Sequence, residues 1–305
     1  MQALLTLWFA QAFPLMLSGS ADVLAASPRA TPTAVGHWTD AVTVSGVIDG
    51  VEAKAKMLVY LPAGYDEHAA TRYPLVLALP GWNHSPELFR DKGGLAAEAD
   101  RHQVVIAVPA MGKSIYETAL YPETKGTGLG APGARWVGEV VLPYLRAHYA
   151  VRQDRAHTAV IGYSTGGRGA VFLAERYPEF AFAGSLSGTY DLMTLAPSEG
   201  EYKIHKVVYG ARKKFMPRWV ADNIVTPANL AALTTTRLFI GHGAADASVH
   251  PDQLESLRQA MQRSGLHFDV TFALVPGAIH DWAYWTSQWD AVFAAMDEAF
   301  AAGAQ

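Results

Sequence analysis

The stretch from Thr158 to Gly167, TAVIGYSTGG, constrains this chain more than any other. It reads as a short buried strand, then Gly162-Tyr163-Ser164-Thr165-Gly166, then a helical pattern from Gly167 to Tyr177. The Val-Ile run favours an extended segment. Glycines at 162 and 166 leave room for a turn that bulkier residues would block. A serine at the tip of such a strand–turn–helix is lifted above the sheet edge, the arrangement called a nucleophile elbow. G-x-S-x-G by itself is weak, because ordinary turns also use Gly and Ser. The strand before it and the amphipathic helix after it give it weight.

The rest of the chain supplies a setting for that turn. Strands are predicted at 41–48, 56–61, 74–79, 104–108, 158–161, 182–186, 237–240 and 268–274. The first two alternate in polarity, as an antiparallel hairpin with one wet face should, and Asp49-Gly50 supplies turn chemistry between them. The later ones are continuous apolar runs, as parallel strands covered on both faces require. Helical patterns fall at 95–102, 136–149, 167–177, 251–264 and 285–302, and Pro143 predicts a kink in the second. Strands alternating with helices predict an α/β domain over 41–305, with a mostly parallel eight-stranded sheet and helices on both faces.

Two stretches break the alternation. Residues 111–134 are rich in Gly, Pro and Thr and read as a long loop. Residues 189–233 follow the sixth predicted strand and combine Tyr190, Tyr202, Tyr209, Phe215 and Trp219 with Lys203, Lys206, Arg212, Lys213, Lys214 and Arg218. Segments this long are usually functional, so this one is expected to form a cap lining a substrate pocket. An ordinary surface excursion with a solvated charged face is the alternative.

At 305 residues and 50% hydrophobic content, the chain can bury a large core. Its net charge of −4 provides no overall basic field, so a nucleic-acid partner is not expected. The absence of cysteine excludes disulfides, thiolate metal sites and a cysteine nucleophile. The apolar run from Ala3 to Leu17, followed by small residues near Ala25 and Ala26, reads as a signal peptide over 1–26. Its n-region lacks Lys and Arg, which leaves a membrane anchor or a different start site as alternatives. Residues 27–40 read as a flexible lead-in. These features imply a secreted or periplasmic protein with no spanning segment in its mature form.

A serine hydroxyl becomes a competent nucleophile only when a positioned base takes its proton. Among eleven histidines, His280 is best placed, in the loop between the last strand and the final helix. Such a loop reaches over the carboxyl ends of a parallel sheet, where ligands bind in open α/β folds. Asp246, just past the strand at 237–240, is the preferred orienting acid, with Asp191 and Asp281 as competitors. The Thr165 N–H, next to the nucleophile, is a natural oxyanion donor. A second should come from Trp82 or Asn83 in the loop after 74–79. Asn83, His84, Tyr163, Tyr190, Trp219 and Trp282 are candidate substrate contacts, although tryptophans such as Trp282 and Trp285 are more often packing residues than substrate platforms. His242, Asp246 and His250 lie in a glycine-rich, non-helical segment that does not align them on one face, so neither metal nor cofactor is expected.

Several segments together resemble the esterase D-like esterases of the α/β-hydrolase superfamily, over roughly residues 52–300. They are Val59-Tyr60-Leu61-Pro62-Ala63-Gly64-Tyr65, Tyr73 to Gly81, Val140 to Leu145, Ile161 to Ala170, Ser185-Leu186-Ser187-Gly188 and Gly277 to Trp282. That group includes feruloyl and acetyl-xylan esterases, S-formylglutathione hydrolases, enterochelin esterases and antigen 85 mycolyltransferases. The resemblance implies an α/β-hydrolase fold and a triad of Ser164, Asp246 and His280 in that chain order. It implies a serine carboxylic-ester hydrolase forming an acyl-enzyme, acting on a small-molecule or carbohydrate-linked ester. An acyltransferase, or a non-catalytic binding protein of the same fold, are the alternatives. The chain departs from the pattern at Pro80-Gly81, where the family usually has His-Gly, and at Thr165, where it commonly has Met.

Overall fold

Nine extended segments join one sheet in the computed structural model, which describes residues 35–303 except 69, 71 and 127. The expected signal peptide at 1–26 and most of the lead-in lie outside the described residues. The strands are β1 (His37–Trp38), β2 (Val42–Ile48), β3 (Val51–Leu61), β4 (Leu75–Leu79), β5 (Val105–Pro109), β6 (Thr158–Tyr163), β7 (Phe182–Leu186), β8 (Arg237–Gly243) and β9 (Val270–Val275). The spatial order is β1-β3-β5-β4-β6-β7-β8-β9, with β2 also on β3. From β5 to β9 every pairing is parallel, and β1, β2 and β5 meet β3 antiparallel. The expected count of eight is corrected to nine by β1. Two residues pairing with Tyr60 and Leu61 are too short to show a pattern of their own.

Local chemistry explains the main features. Asp49 and Gly50 both have positive φ, 51° and 77°, which suits a two-residue hairpin turn matched to strand twist. The pairing Ile48↔Val51 then carries β3 back to Val51, well before the expected start at 56. The strands β4 to β7 are buried along their whole length, as their continuous apolar runs imply. Alternate residues feed two cores. Leu75, Leu77, Val160 and Ile240 pack with the helices Thr165–Arg176 and Asp252–Ser264 on one face. Val76, Ala78, Ile161 and Phe239 pack with Leu95–His102 and Trp289–Gly303 on the other.

The expected helix at 136–149 is two pieces: a π-helical stretch, Trp136–Val141, and an α-helix, Leu142–His148. Pro143 falls in the first turn of the second piece, where its missing N–H costs least, so it marks a junction instead of a mid-helix kink. The stretch 189–233 is a helical layer, not a loop: Gly200–Tyr209, Met216–Ala221 and Pro227–Ala232. Ile115, Leu192, Leu195, Tyr202, Val208, Tyr209 and Trp219 form its own core, against which Trp82 leans. Fully buried Arg168 ties this layer to the body, donating to the carbonyls of Ile115 (3.2 Å) and Asp222 (2.6 Å).

The last helix is fastened to the helix Leu95–His102 by His102. Its imidazole lies between Glu98 (3.5 Å) and Asp297 (2.8 Å) and packs on Phe293. Hydrogen bonding to Glu98 raises its pKa, burial opposes that rise, and Asp297 adds to it. A histidine raised in the folded state stabilises fully below its unfolded value of about 6.5, and that contribution fades as pH climbs through the folded value. His102→Gln is therefore expected to lower the unfolding midpoint by a few degrees at about pH 5.5, for a loss on the order of 1 kcal/mol. The deficit should shrink by pH 9, as read by differential scanning calorimetry. A deficit that does not depend on pH would rule out the ion-pair account.

Candidate active site

The order β5-β4-β6 reverses direction between β4 and β6, and open α/β sheets leave a crevice at the carboxyl ends of such strands. Ser164 follows β6 there, at φ 56° and ψ −128°, as the residue before the helix Thr165–Arg176. A non-glycine residue in that region carries strain of about 1–3 kcal/mol, which the surrounding packing must hold. Gly166 shows how closely it is held: a Cβ there would lie 2.0 Å from the Leu79 carbonyl oxygen and 2.8 Å from that of Pro80.

His280 and Asp246 arrive by a separate route. The pairing of β8 with β9 continues to Gly243↔Val275, beyond the predicted strand end at 240. The two following loops then bond to each other, Ala244 N to Val275 O and Ala245 N to Ala278 O, both 2.9 Å. That ladder brings Asp246 Oδ2 to 2.7 Å from His280 Nδ1, while His280 Nε2 lies 3.0 Å from Ser164 Oγ. Asp246 Oδ1 accepts the Ser248 and Val249 amides, both at 2.9 Å. Burial works to raise the Asp246 carboxyl, but the hydrogen bond and charge of His280 and those amides outweigh it and hold it below the usual range. The competing acids are engaged elsewhere. Asp281 caps the next helix by accepting the Tyr284 N–H, and Asp191 accepts the Met193 N–H.

An array of this kind can pass a proton from the hydroxyl to the imidazole while the carboxylate fixes the tautomer. Two backbone amides are expected to serve as oxyanion donors. The Thr165 amide opens a helix, where the first N–H groups have no intrahelical partner. In the loop after β4, Asn83 N donates to Gly112 O (2.8 Å) and His84 N to Gly81 O (3.0 Å). That occupies Asn83 and leaves Trp82 N without a backbone acceptor among the described residues.

The substrate contacts expected from sequence divide by burial. Asn83 is exposed, and Trp82, His84 and Trp282 are half-buried. Tyr163, Tyr190 and Trp219 are fully buried, a correction to the expectation that they touch substrate. Tyr190 hydroxyl bonds Ser185 Oγ (2.7 Å), and Trp219 Nε1 donates to Gly210 O (3.0 Å). Trp285, weighed with Trp282 as a packing residue or a substrate platform, sets its ring edge-on to His280, 5.0 Å between centroids. Arg168 had no sequence signal, because its partners are carbonyls from distant segments. Among the described residues, no group of three or more His, Asp or Glu is placed to hold a metal ion. No helix among them is long and apolar enough to cross a membrane.

This sheet topology, with a serine at the strand–helix elbow, defines an α/β-hydrolase. Residues 49–296 match the family described as "Putative esterase"; the chain belongs to that family and is an esterase. No curated protein matches it in sequence. Among solved structures it is similar to a ferulic acid esterase, at 21% identity and TM-score 0.64, covering 87% of this chain and 99% of that one. It is also similar to FphF, a fluorophosphonate-binding serine hydrolase of Staphylococcus aureus, at 19% identity and TM-score 0.66, covering 86% and 99%. An S-formylglutathione hydrolase of Agrobacterium tumefaciens aligns at 18% identity and TM-score 0.65, covering 87% and 96%. At these identities the likeness bears on the fold.

Gly166→Ala tests how tightly the elbow is packed. The added methyl meets backbone, which cannot rotate away, so a loss of about 3 kcal/mol or more is expected. Gly200→Ala, where a Cβ meets nothing within 4 Å, is expected to be nearly neutral. Urea denaturation of both proteins measures the contrast.

Proposed function

We propose that the protein hydrolyses carboxylic esters through an acyl-enzyme on Ser164, with His280 as proton carrier and Asp246 as its orienting acid. The observation that carries this reading is the placement of one imidazole within hydrogen-bond distance of both Ser164 Oγ and Asp246. Asp246 accepts the Nδ1 proton, which leaves Nε2 bare and facing the hydroxyl. As Ser164 Oγ attacks the ester carbonyl carbon, its proton passes to Nε2. The carbonyl oxygen becomes an oxyanion, received by the Thr165 and Trp82 N–H groups. When the intermediate collapses, the C–O bond to the alcohol breaks and His280 protonates the departing oxygen. A water then gives its proton to His280 and attacks the acyl-serine. Return of that proton to Ser164 releases the acid.

Trp82, Asn83 and Trp282 line the approach to this site in the proposal. Feruloyl esters belong among the first substrates to try, given the name of one structural neighbour. A panel of acetyl, feruloyl and longer-chain esters identifies the preferred acyl group.

Ser164→Ala is expected to bring p-nitrophenyl acetate turnover to background with an unchanged circular dichroism spectrum, and retained turnover would refute the proposal. Asp246→Asn is expected to lower kcat by about 10⁴-fold, the loss seen when asparagine replaces the acid of a serine-protease triad. Steady-state kinetics on the folded variant measures it.

A further inference from the structure

Tyr163, the residue between Gly162 and Ser164, touches the loop after β4 and the helix that follows His280. Its hydroxyl lies 2.9 Å from His84 Nδ1 in the loop after β4. Its ring stacks on Trp285 at 4.2 Å and meets Trp282 edge-on at 4.7 Å, both beside His280. Phe89 packs on it at 5.1 Å. Gly81 lies between: a Cβ there would be 3.0 Å from the Tyr163 ring, 3.2 Å from Ser164 Cβ and 3.4 Å from His84 Nδ1. The loop itself is a tight turn closed by His84 N to Gly81 O, with Asn83 at a φ of 57°.

We infer that the Tyr163–His84 hydrogen bond latches the loop Gly81–His84 onto the elbow, making His84 a positioning residue for the oxyanion donor at Trp82. The inference rests on the esterase reading above and adds a part to it. Trp82 sits between held neighbours in this turn: Gly81 packed on Ser164, Asn83 donating to Gly112 O (2.8 Å), and His84 bonded to Tyr163. No backbone hydrogen bond holds the Trp82 amide itself among the described residues, so these anchors together set where that N–H points, and the His84 bond is the one that ties the turn to the elbow.

The same network assigns the proton. A buried phenol must place its O–H on an acceptor, and His84 Nδ1 is the side-chain acceptor within reach of Tyr163. Nδ1 is then bare and His84 carries its hydrogen on Nε2. Burial raises the Tyr163 pKa, so the phenol keeps its proton. Burial lowers the His84 pKa, and the positive charge available on His280 and that of Lys92 lower it further. A neutral imidazole here avoids a second cation beside His280 when His280 takes up the serine proton.

The test compares Tyr163→Phe, His84→Asn, His84→Leu and the Tyr163→Phe/His84→Leu double variant. Asparagine places an acceptor near the position of Nδ1, and leucine does not. Expected are losses of about ten- to a hundredfold in kcat for Tyr163→Phe and His84→Leu, less than for outright removal of an oxyanion donor. KM should stay within about twofold, His84→Asn should recover much of the loss, and the double variant should be no worse than either single one. Additive losses, or changes confined to KM, would overturn the latch. Nitrogen-15 NMR of the histidines in the full chain gives a readout independent of turnover and of whether the variants fold. His84 should show a bare Nδ1 and protonated Nε2 at pH 7, and the opposite tautomer or a cation there overturns the inference. A wild-type chain inert toward every ester defeats the esterase reading, and the tautomer measurement then decides the hydrogen bond by itself.

Discussion

The approach of the elbow to the neighbouring strand is the contact on which the rest of this molecule depends. Gly166 places its backbone against the Leu79 and Pro80 carbonyls, and a Cβ on Gly162 would stand 2.3 Å from the Gly166 oxygen. No side chain larger than hydrogen fits such spacing. The closeness has three effects at once. It draws the start of the helix Thr165–Arg176 over the sheet edge, holds Ser164 at an unfavourable backbone angle, and brings the loop after β4 beside Ser164. Local strain is held at Ser164, and the continuous apolar cores on both faces of the sheet supply the compensation.

Polar groups do the rest of the positioning, and they do it from buried places. Asp246 has its side chain shut away from solvent, yet both of its oxygens have partners. A buried charge is tolerable on those terms and costly otherwise. Arg168, at the other side of the elbow helix, is buried with both terminal guanidinium nitrogens bonded. Its guanidinium meets the carbonyls of Ile115 and Asp222, while the Asp222 carboxylate accepts from Thr118 and Tyr209. The helical layer at 189–233 is thus fastened to the helix that begins just after Ser164. Because breaking one member leaves the others unpaired in a low-dielectric interior, the layer and the elbow are energetically coupled.

Much of this was readable along the chain where a pattern is local. The helix Leu95–His102 and the strand Phe182–Leu186 lie where apolar periodicity predicts them. Strand ends were less legible. β8 runs on to Gly243 and β3 starts at Val51 because partners across the sheet extend the ladder, and hydrophobicity carries no record of that pairing. The helices within 189–233 were hidden for a related reason. Their apolar residues pack on each other and on Ile115, so their spacing answers to a small separate core.

The candidate site divides in the same way. Ser164 was marked out by its neighbours in the chain, since an elbow is a local object made by a strand, two glycines and a helix. His280 and Asp246 could be nominated from loops after strands, but Asp191 and Asp281 met the same criterion, and only the cross-bonding of the two loops separates them. Burial is likewise a property of the assembled molecule: Tyr190 and Trp219 are residue types suited to contacting substrate, yet both are fully buried. Order, residue type and turn chemistry are written in the polymer. Which side chains meet, and which of them face solvent, depends on contacts between segments tens or hundreds of residues apart, whose geometry exists only once the sheet has formed.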